Sequence, residues 1–179
     1  MDGLAAVQSR IAQIQTNFTH APPVSVATKT DAGFAQVLAS AQSAQTRAPG
    51  VTVDGTVDTE AERTQFAHDV LAGLNLPATS ENVRALVAWQ QAEGTKAQFN
   101  PFATTQSWDG ASNFNSVGVK NYESYADGVA ATVKTMKNGF YEGVLDALRA
   151  GNSAEAVGRA VAASPWGTGE SMLRVLAKQ

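Results

Sequence analysis

Cysteine is absent from all 179 residues, which excludes disulfide bridges and thiolate-held metal centres. Histidine is scarce: His20 and His68 stand far apart, with no ligand spacing around either. A metal site is therefore not expected, nor any other cofactor. Positive charge is not in excess, since the formal net charge is −3, and the basic footprint of a nucleic-acid binder is missing. No apolar run approaches the roughly 20 residues that cross a bilayer, so no membrane span is expected. The N-terminus also lacks a basic stretch followed by an unbroken apolar core, and no secretory signal is read there.

What charge there is lies unevenly. Residues 1–62 hold three basic and six acidic side chains, while residues 63–179 hold ten of each. Leu4, Val7, Ile11, Ile14 and Phe18 alternate spacings of three and four, a single heptad seam on a short helix. So short a helix needs a partner surface, either its own domain or another protein. Residues 19–33 read as linker around Pro22-Pro23. Phe34, Val37, Leu38 and Ala41 then mark a second amphipathic helix, and Gln45–Glu62 is linker-like again, with Pro49-Gly50 and Asp54-Gly55 as turn signals. Residues 1–62 are thus expected to serve targeting and docking, without a core of their own.

Residues 63–179 read as one mainly α domain with no strand. Phe66, Val70, Leu71 and Leu74 form an apolar helical face ended by Asn75-Leu76-Pro77. Ser80 is the expected N-cap of the next helix, which runs through Val83, Leu86, Val87 and Gln90 to Glu93, with Gly94 suited to the left-handed position beyond. After a polar loop, Ser124 and Asp127 resemble a capping box for a helix carrying Val129, Val133 and Met136. Tyr141, Val144, Leu145 and Leu148 predict a further helix up to Gly151. Asn152 with Glu155 opens another through Val157 and Val161, and Met172, Leu173 and Leu176 lie in a last one. Six or so short helices over this length suffice for one core.

Glu93 is the candidate catalytic residue. Residues three, four and seven positions back on a helix share its face, and here they are Gln90, Trp89 and Leu86. Apolar neighbours and the negative end of the helix dipole both disfavour the carboxylate. A general acid working near neutral pH needs such a raised pKa. The following loop, with Phe102, Trp108 and Phe114 among Asn, Thr, Ser and Gln, suits sugars, whose hydroxyls want fixed polar partners and whose faces stack on aromatic rings. Three further carboxylates come into question as a second acid. Asp127 is explained as a helix cap and Glu123 as a surface group; Asp109, in a Ser-Trp-Asp-Gly turn, is the best of the three, although Asp-Gly is also an ordinary turn pair.

Ala92-Glu93, Phe99-Asn100-Pro101 and Val117-Gly118-Val119-Lys120-Asn121 together resemble the signature of soluble lytic transglycosylases and goose-type lysozymes. In that family a glutamate at a helix end is followed by Phe-Asn-Pro and then Gly-Leu-Met-Gln. The run from Asn113 to Tyr122 and the Ser164-Pro165-Trp166-Gly167-Thr168-Gly169 segment are similar to lysozyme-like domains of actinobacterial and phage proteins. The likeness spans from near Thr64 to Thr168. Val7-Gln8-Ser9-Arg10-Ile11-Ala12-Gln13-Ile14 resembles the leader of actinobacterial transglycosylases associated with flagella.

The resemblance implies a lysozyme-like fold and cleavage of the bond between N-acetylmuramic acid and N-acetylglucosamine in peptidoglycan. It makes Glu93 the general acid and places Ser116, Gly118, Asn121 and Tyr122 at the substrate. Trp108, Trp166 and Tyr141 are the expected aromatic contacts. Lys120 stands where the family has methionine, Asn121 is shorter than glutamine, Phe99 follows Glu93 at a wider gap, and the family's Tyr-Asn-Ala-Gly motif is absent. Transglycosylases of this type need no second acid, because the substrate's N-acetyl group assists and the same glutamate returns as base to form an anhydro sugar. The implied setting is the cell wall, reached by a flagellar export route or with a phage particle, with residues 4–18 docking on flagellar rod, export or phage tail proteins. The alternative is a non-catalytic peptidoglycan-binding or structural module of a flagellum or phage tail.

Overall fold

A computed structural model describes residues 55–179; the helices expected at Leu4–Phe18 and Phe34–Ala41, and the linker joining them, lie outside the described residues. Six helices follow one another as α1 (Glu60–Leu74), α2 (Ser80–Glu93), α3 (Tyr125–Met136), α4 (Glu142–Ala150), α5 (Ala154–Ala162) and α6 (Gly169–Leu176). The protein is mainly α, as its periodicity predicts. Against expectation it also has two strands, β1 (Ser112–Asn113) and β2 (Lys120–Asn121), paired antiparallel with Ser112 opposite Asn121 and Asn113 opposite Lys120. Strands of two residues are too short to display an alternating pattern, so no sequence signal announces them.

Helix α2 packs against α1, α5 and α6. Six consecutive residues, Ala85 to Gln90, are buried; at 100° per residue they go right round the helix, as in a core helix. Around it, Phe66, Val70, Leu71, Met136, Leu148, Val157, Val161 and Met172 are fully buried. Each such side chain is worth about 1.5–3 kcal/mol, against about 1 kcal/mol for a helix cap. Packing therefore decides where the helices lie, and caps decide where they end.

The caps correct two expectations by one residue. Thr79, not Ser80, accepts the Asn82 N–H at 3.2 Å, and Ser153, not Asn152, accepts that of Ala156 at 3.1 Å. Both Thr79 and Ser153 have the extended backbone of an N-cap. Ser124 caps α3 as expected, but Asp127 takes up the Ser124 hydroxyl at 2.6 Å rather than its backbone N–H. The folded unit also begins earlier than the boundary at residue 63. Gly55 O accepts the Phe99 N–H at 2.7 Å, Val57 is 5% exposed in the core, and Thr59 forms a capping box with Glu62.

The first turn of α2 is fastened to the end of α4. The Thr79 hydroxyl donates to Gly151 O at 2.7 Å, and Asn82 Nδ2 donates to Leu148 O at 2.8 Å and Pro77 O at 2.7 Å. Leu148 O belongs to the last turn of α4, whose carbonyls have no partner within the helix. Arg84 adds bridges to Glu81 (3.0 Å) and Glu155 (2.7 Å).

At the far end of α2 the chain turns through a loop organised by Asn100. Its fully buried amide donates to Thr104 O (2.9 Å) and Lys120 O (2.7 Å), while Oδ1 accepts from Thr104 N (2.9 Å) and Thr104 Oγ1 (3.1 Å). Every hydrogen-bonding position of the amide is thereby used. It holds two non-glycine residues, Phe99 (φ 51°) and Ala103 (φ 52°), in the left-handed region, each costing on the order of 1–3 kcal/mol. The Phe99 carbonyl rests on α3 at Gly128, where a Cβ would meet its oxygen at 1.9 Å.

Gly128→Ala is accordingly expected to destabilise the fold by about 1–3 kcal/mol or more in urea denaturation, and a neutral result would show that the Phe99 loop yields. Deleting 1–62 removes Val57 and the Thr59 cap and should cost more than the ~1 kcal/mol of a cap alone.

Candidate active site

Glu93 is the last residue of α2, and Gly94 follows in the left-handed conformation (φ 56°) with its N–H bonded to Gln90 O at 3.2 Å. One turn back, Trp89 is fully buried, and its Nε1 donates to Glu93 Oε1 at 3.1 Å. Two further donors reach the same oxygen from the segment between α5 and α6: Trp166 Nε1 at 2.8 Å and Thr168 Oγ1 at 2.7 Å. Among the described residues no hydrogen bond is made to Oε2, and this atom is not one of the buried polar atoms left without a partner. Oε2 is thus the solvent-facing oxygen. With three donors on Oε1, a proton on this carboxyl group belongs on Oε2.

Burial pushes the Glu93 pKa above its ordinary value of 4.5, while the bonds from Thr168, Trp89 and Trp166 pull it down. Burial wins, in the direction expected from the helix face. The rings around the acid pack edge-on: Trp89 and Trp166 have centroids 4.6 Å apart at 72°, and Trp89 and Phe102 5.3 Å apart at 82°. Tyr141 lies 5.2 Å from Trp166. Two of the three expected aromatic residues, Trp166 and Tyr141, therefore lie against each other, and Trp166 bonds the acid directly.

The remaining candidates take other positions. Trp108 donates its indole N–H to Asp127 at 3.0 Å and carries Lys134 Nζ 5.7 Å from its ring centroid, so it ties the polar loop to α3. Asp127 is occupied by Trp108 and Ser124 and acts as part of the cap. Asp109 is exposed. Glu123 is exposed as well, its carboxyl group lying over Gly110. Neither is hydrogen-bonded to Glu93. Asn121 Oδ1 accepts the Gln98 N–H at 2.8 Å. Ser116 is exposed in the hairpin turn, and Gly118 closes that turn with φ 93°. Tyr122 is a correction: it is 1% exposed, and its hydroxyl is bonded to Thr104 (2.7 Å) and Gln106 O (2.9 Å). It braces the loop and has no free group for a substrate.

Thr168 and the indole of Trp89 are the participants that sequence reasoning did not nominate. Trp89 was legible as a neighbour of Glu93 but not as a donor. Thr168 lies 75 positions away, beyond any local pattern. A separate groove of about 830 Å3 is lined by Val83, Val87, His68 and Lys178 among others, and Glu93 does not border it.

The raised pKa has a consequence for stability. A carboxyl group that holds its proton more tightly when folded makes the fold less stable as pH rises from 4.5 through the folded-state value. Glu93→Gln keeps an oxygen for the three donors and removes that charge. Its melting temperature should equal or exceed that of the parent at about pH 7, with the gap closing below pH 4.5; a gap independent of pH would contradict the assignment. No protein-family model matches this chain, and no curated protein or solved structure matches it either.

Proposed function

We propose that this protein is a peptidoglycan-cleaving lytic transglycosylase or muramidase with a lysozyme-like fold, and that Glu93 is its single general acid and base. The observation that carries this reading is the division of labour within one carboxyl group. Oε1 is fixed by three donors, while Oε2 accepts no hydrogen bond among the described residues. Proton donation from Oε2 to the glycosidic oxygen between N-acetylmuramic acid and N-acetylglucosamine lets that bond break. The carboxylate so formed then takes a proton from the nucleophile, a hydroxyl of the same sugar in the anhydro-forming reaction or water in the hydrolytic one. Asp127 is committed to Trp108 and Ser124, which supports a one-carboxylate mechanism over the paired-acid scheme. Ser116, Gly118 and Asn121 on the hairpin, with Tyr141 beside Trp166, are the proposed substrate contacts. The proposed setting is the cell wall, reached by a flagellar route or with a phage particle through docking of residues 4–18.

A second reading is a non-catalytic wall-binding or structural module of a flagellum or phage tail. The three bonds to Glu93 favour it in one respect, since they tie the end of α2 to the segment before α6. Zymography on purified cell walls separates the two. Glu93→Gln should lose wall clearing by at least ~100-fold while retaining its melting temperature. Full clearing by that variant overturns the enzymatic reading, and binding by the parent without clearing supports the module. Mass spectrometry of the released muropeptides then distinguishes anhydro from reducing ends.

A further inference from the structure

Among the described residues, four of the six helices begin at a Ser or Thr with extended backbone whose side chain accepts a first-turn N–H, namely Thr59, Thr79, Ser124 and Ser153. Helix α6 also begins at a threonine. Yet Thr168 makes no side-chain cap bond, and its backbone (φ −91°, ψ 3°) is not extended. Its hydroxyl proton goes to Glu93 Oε1 at 2.7 Å, the shortest of the three bonds. A threonine at an N-cap ordinarily stabilises its helix by about 1 kcal/mol, so α6 forgoes that contribution. Local rules are broken in this way where function requires it. The placement is not imposed by Glu93 alone. The next residue, Gly169, is pressed on the end of α5, where a Cβ would meet Ala162 N at 2.0 Å. The hydroxyl is therefore held in position by helix packing.

We infer that Thr168 is a positioning residue that, with the indole N–H groups of Trp89 and Trp166, reserves Oε1 of Glu93 for the protein and leaves Oε2 as the oxygen that trades a proton with substrate. The catalytic half of this inference rests on Glu93 being the acid proposed above; the structural half does not. The surroundings of Glu93 are simple enough to test it. No charged group contributes to its shift. Among the described residues none of the ion pairs of α1, α2 or α5 includes it, and Glu81 and Glu155 are paired with Arg84 at the other end of α2. The titratable ring on Trp166 is Tyr141, which burial holds above its ordinary value of 10, so it stays neutral over the range concerned.

The test compares Thr168→Val, Thr168→Ser and the double variant with Glu93→Gln, each in the full chain. A bond that favours the anion is lost in Thr168→Val, so its melting temperature should fall further at about pH 8 than at about pH 4. Serine should restore the parent behaviour, and with glutamine at 93 the valine cost should be the same at both pH values. In wall clearing, the high-pH limb of the Thr168→Val profile should move upward and the rate should fall roughly tenfold, the factor for losing about 1.4 kcal/mol. If Thr168→Val does not fold, Trp166→Phe, which keeps a ring but removes the N–H, is expected to show the same pH-dependent loss. A loss equal at all pH values, or unaffected by Glu93→Gln, overturns the inference and leaves Thr168 a structural residue. A chain that never clears walls but shows the pH-dependent loss overturns only the chemistry proposed for Glu93.

Discussion

Burial of the middle of α2, from Ala85 to Gln90, is the constraint on which the rest of the protein depends. A helix covered on all sides needs several neighbours, and α1, α5 and α6 provide them. Its start is fixed by hydrogen bonds from Thr79 and Asn82 to the end of α4. Its length then determines where the other end falls, and that end is Glu93. The position of the acid is thus a result of core packing at one end and of counting residues from there.

Placing a helix in the core also carries polar side chains inward, and each has been accommodated differently. Gln90 donates to Arg63 O at 3.0 Å and Asn82 bonds two carbonyls, although the side-chain oxygen of each is left without a partner. Glu93 shows the opposite imbalance, with three donors on one oxygen and none on the other. Unsatisfied buried acceptors cost on the order of 1–3 kcal/mol. A concentration of three donors on one carboxyl oxygen therefore stands out, and it leaves the other oxygen of a firmly held group without a bond. The same asymmetry resolves the opposing influences on its pKa. Burial favours the protonated form, and the donors limit how far that preference goes.

What was legible in the sequence follows the range of the interactions. The helices were readable because their apolar spacing is local, and so was Trp89 beside Glu93, one turn away. The left-handed Gly94 followed from its place after the last periodic residue. At the caps, two adjacent polar residues competed, and only the folded backbone shows that Thr79 and Ser153 take the role. Tyr122 read as a substrate contact because its neighbours in the motif do, but nothing along the chain shows that Thr104 and Gln106 enclose its hydroxyl. Asn100 likewise stood out as part of a motif, while its role as the tie between loop and hairpin appears only once Thr104 and Lys120 are brought to it. Turn residues and helix faces are encoded nearby; the partners of a buried polar group are not.

Trp166 and Thr168 lie 73 and 75 positions after Glu93, which bears on the order in which the protein becomes complete. During synthesis from the N-terminus, α2 emerges long before the segment that holds its last residue. A nascent or truncated chain ending before Trp166 contains the glutamate but only one of its three donors, the Trp89 indole one turn away. All three donors are in place only once Trp166 and Thr168 have been made and α6 has docked.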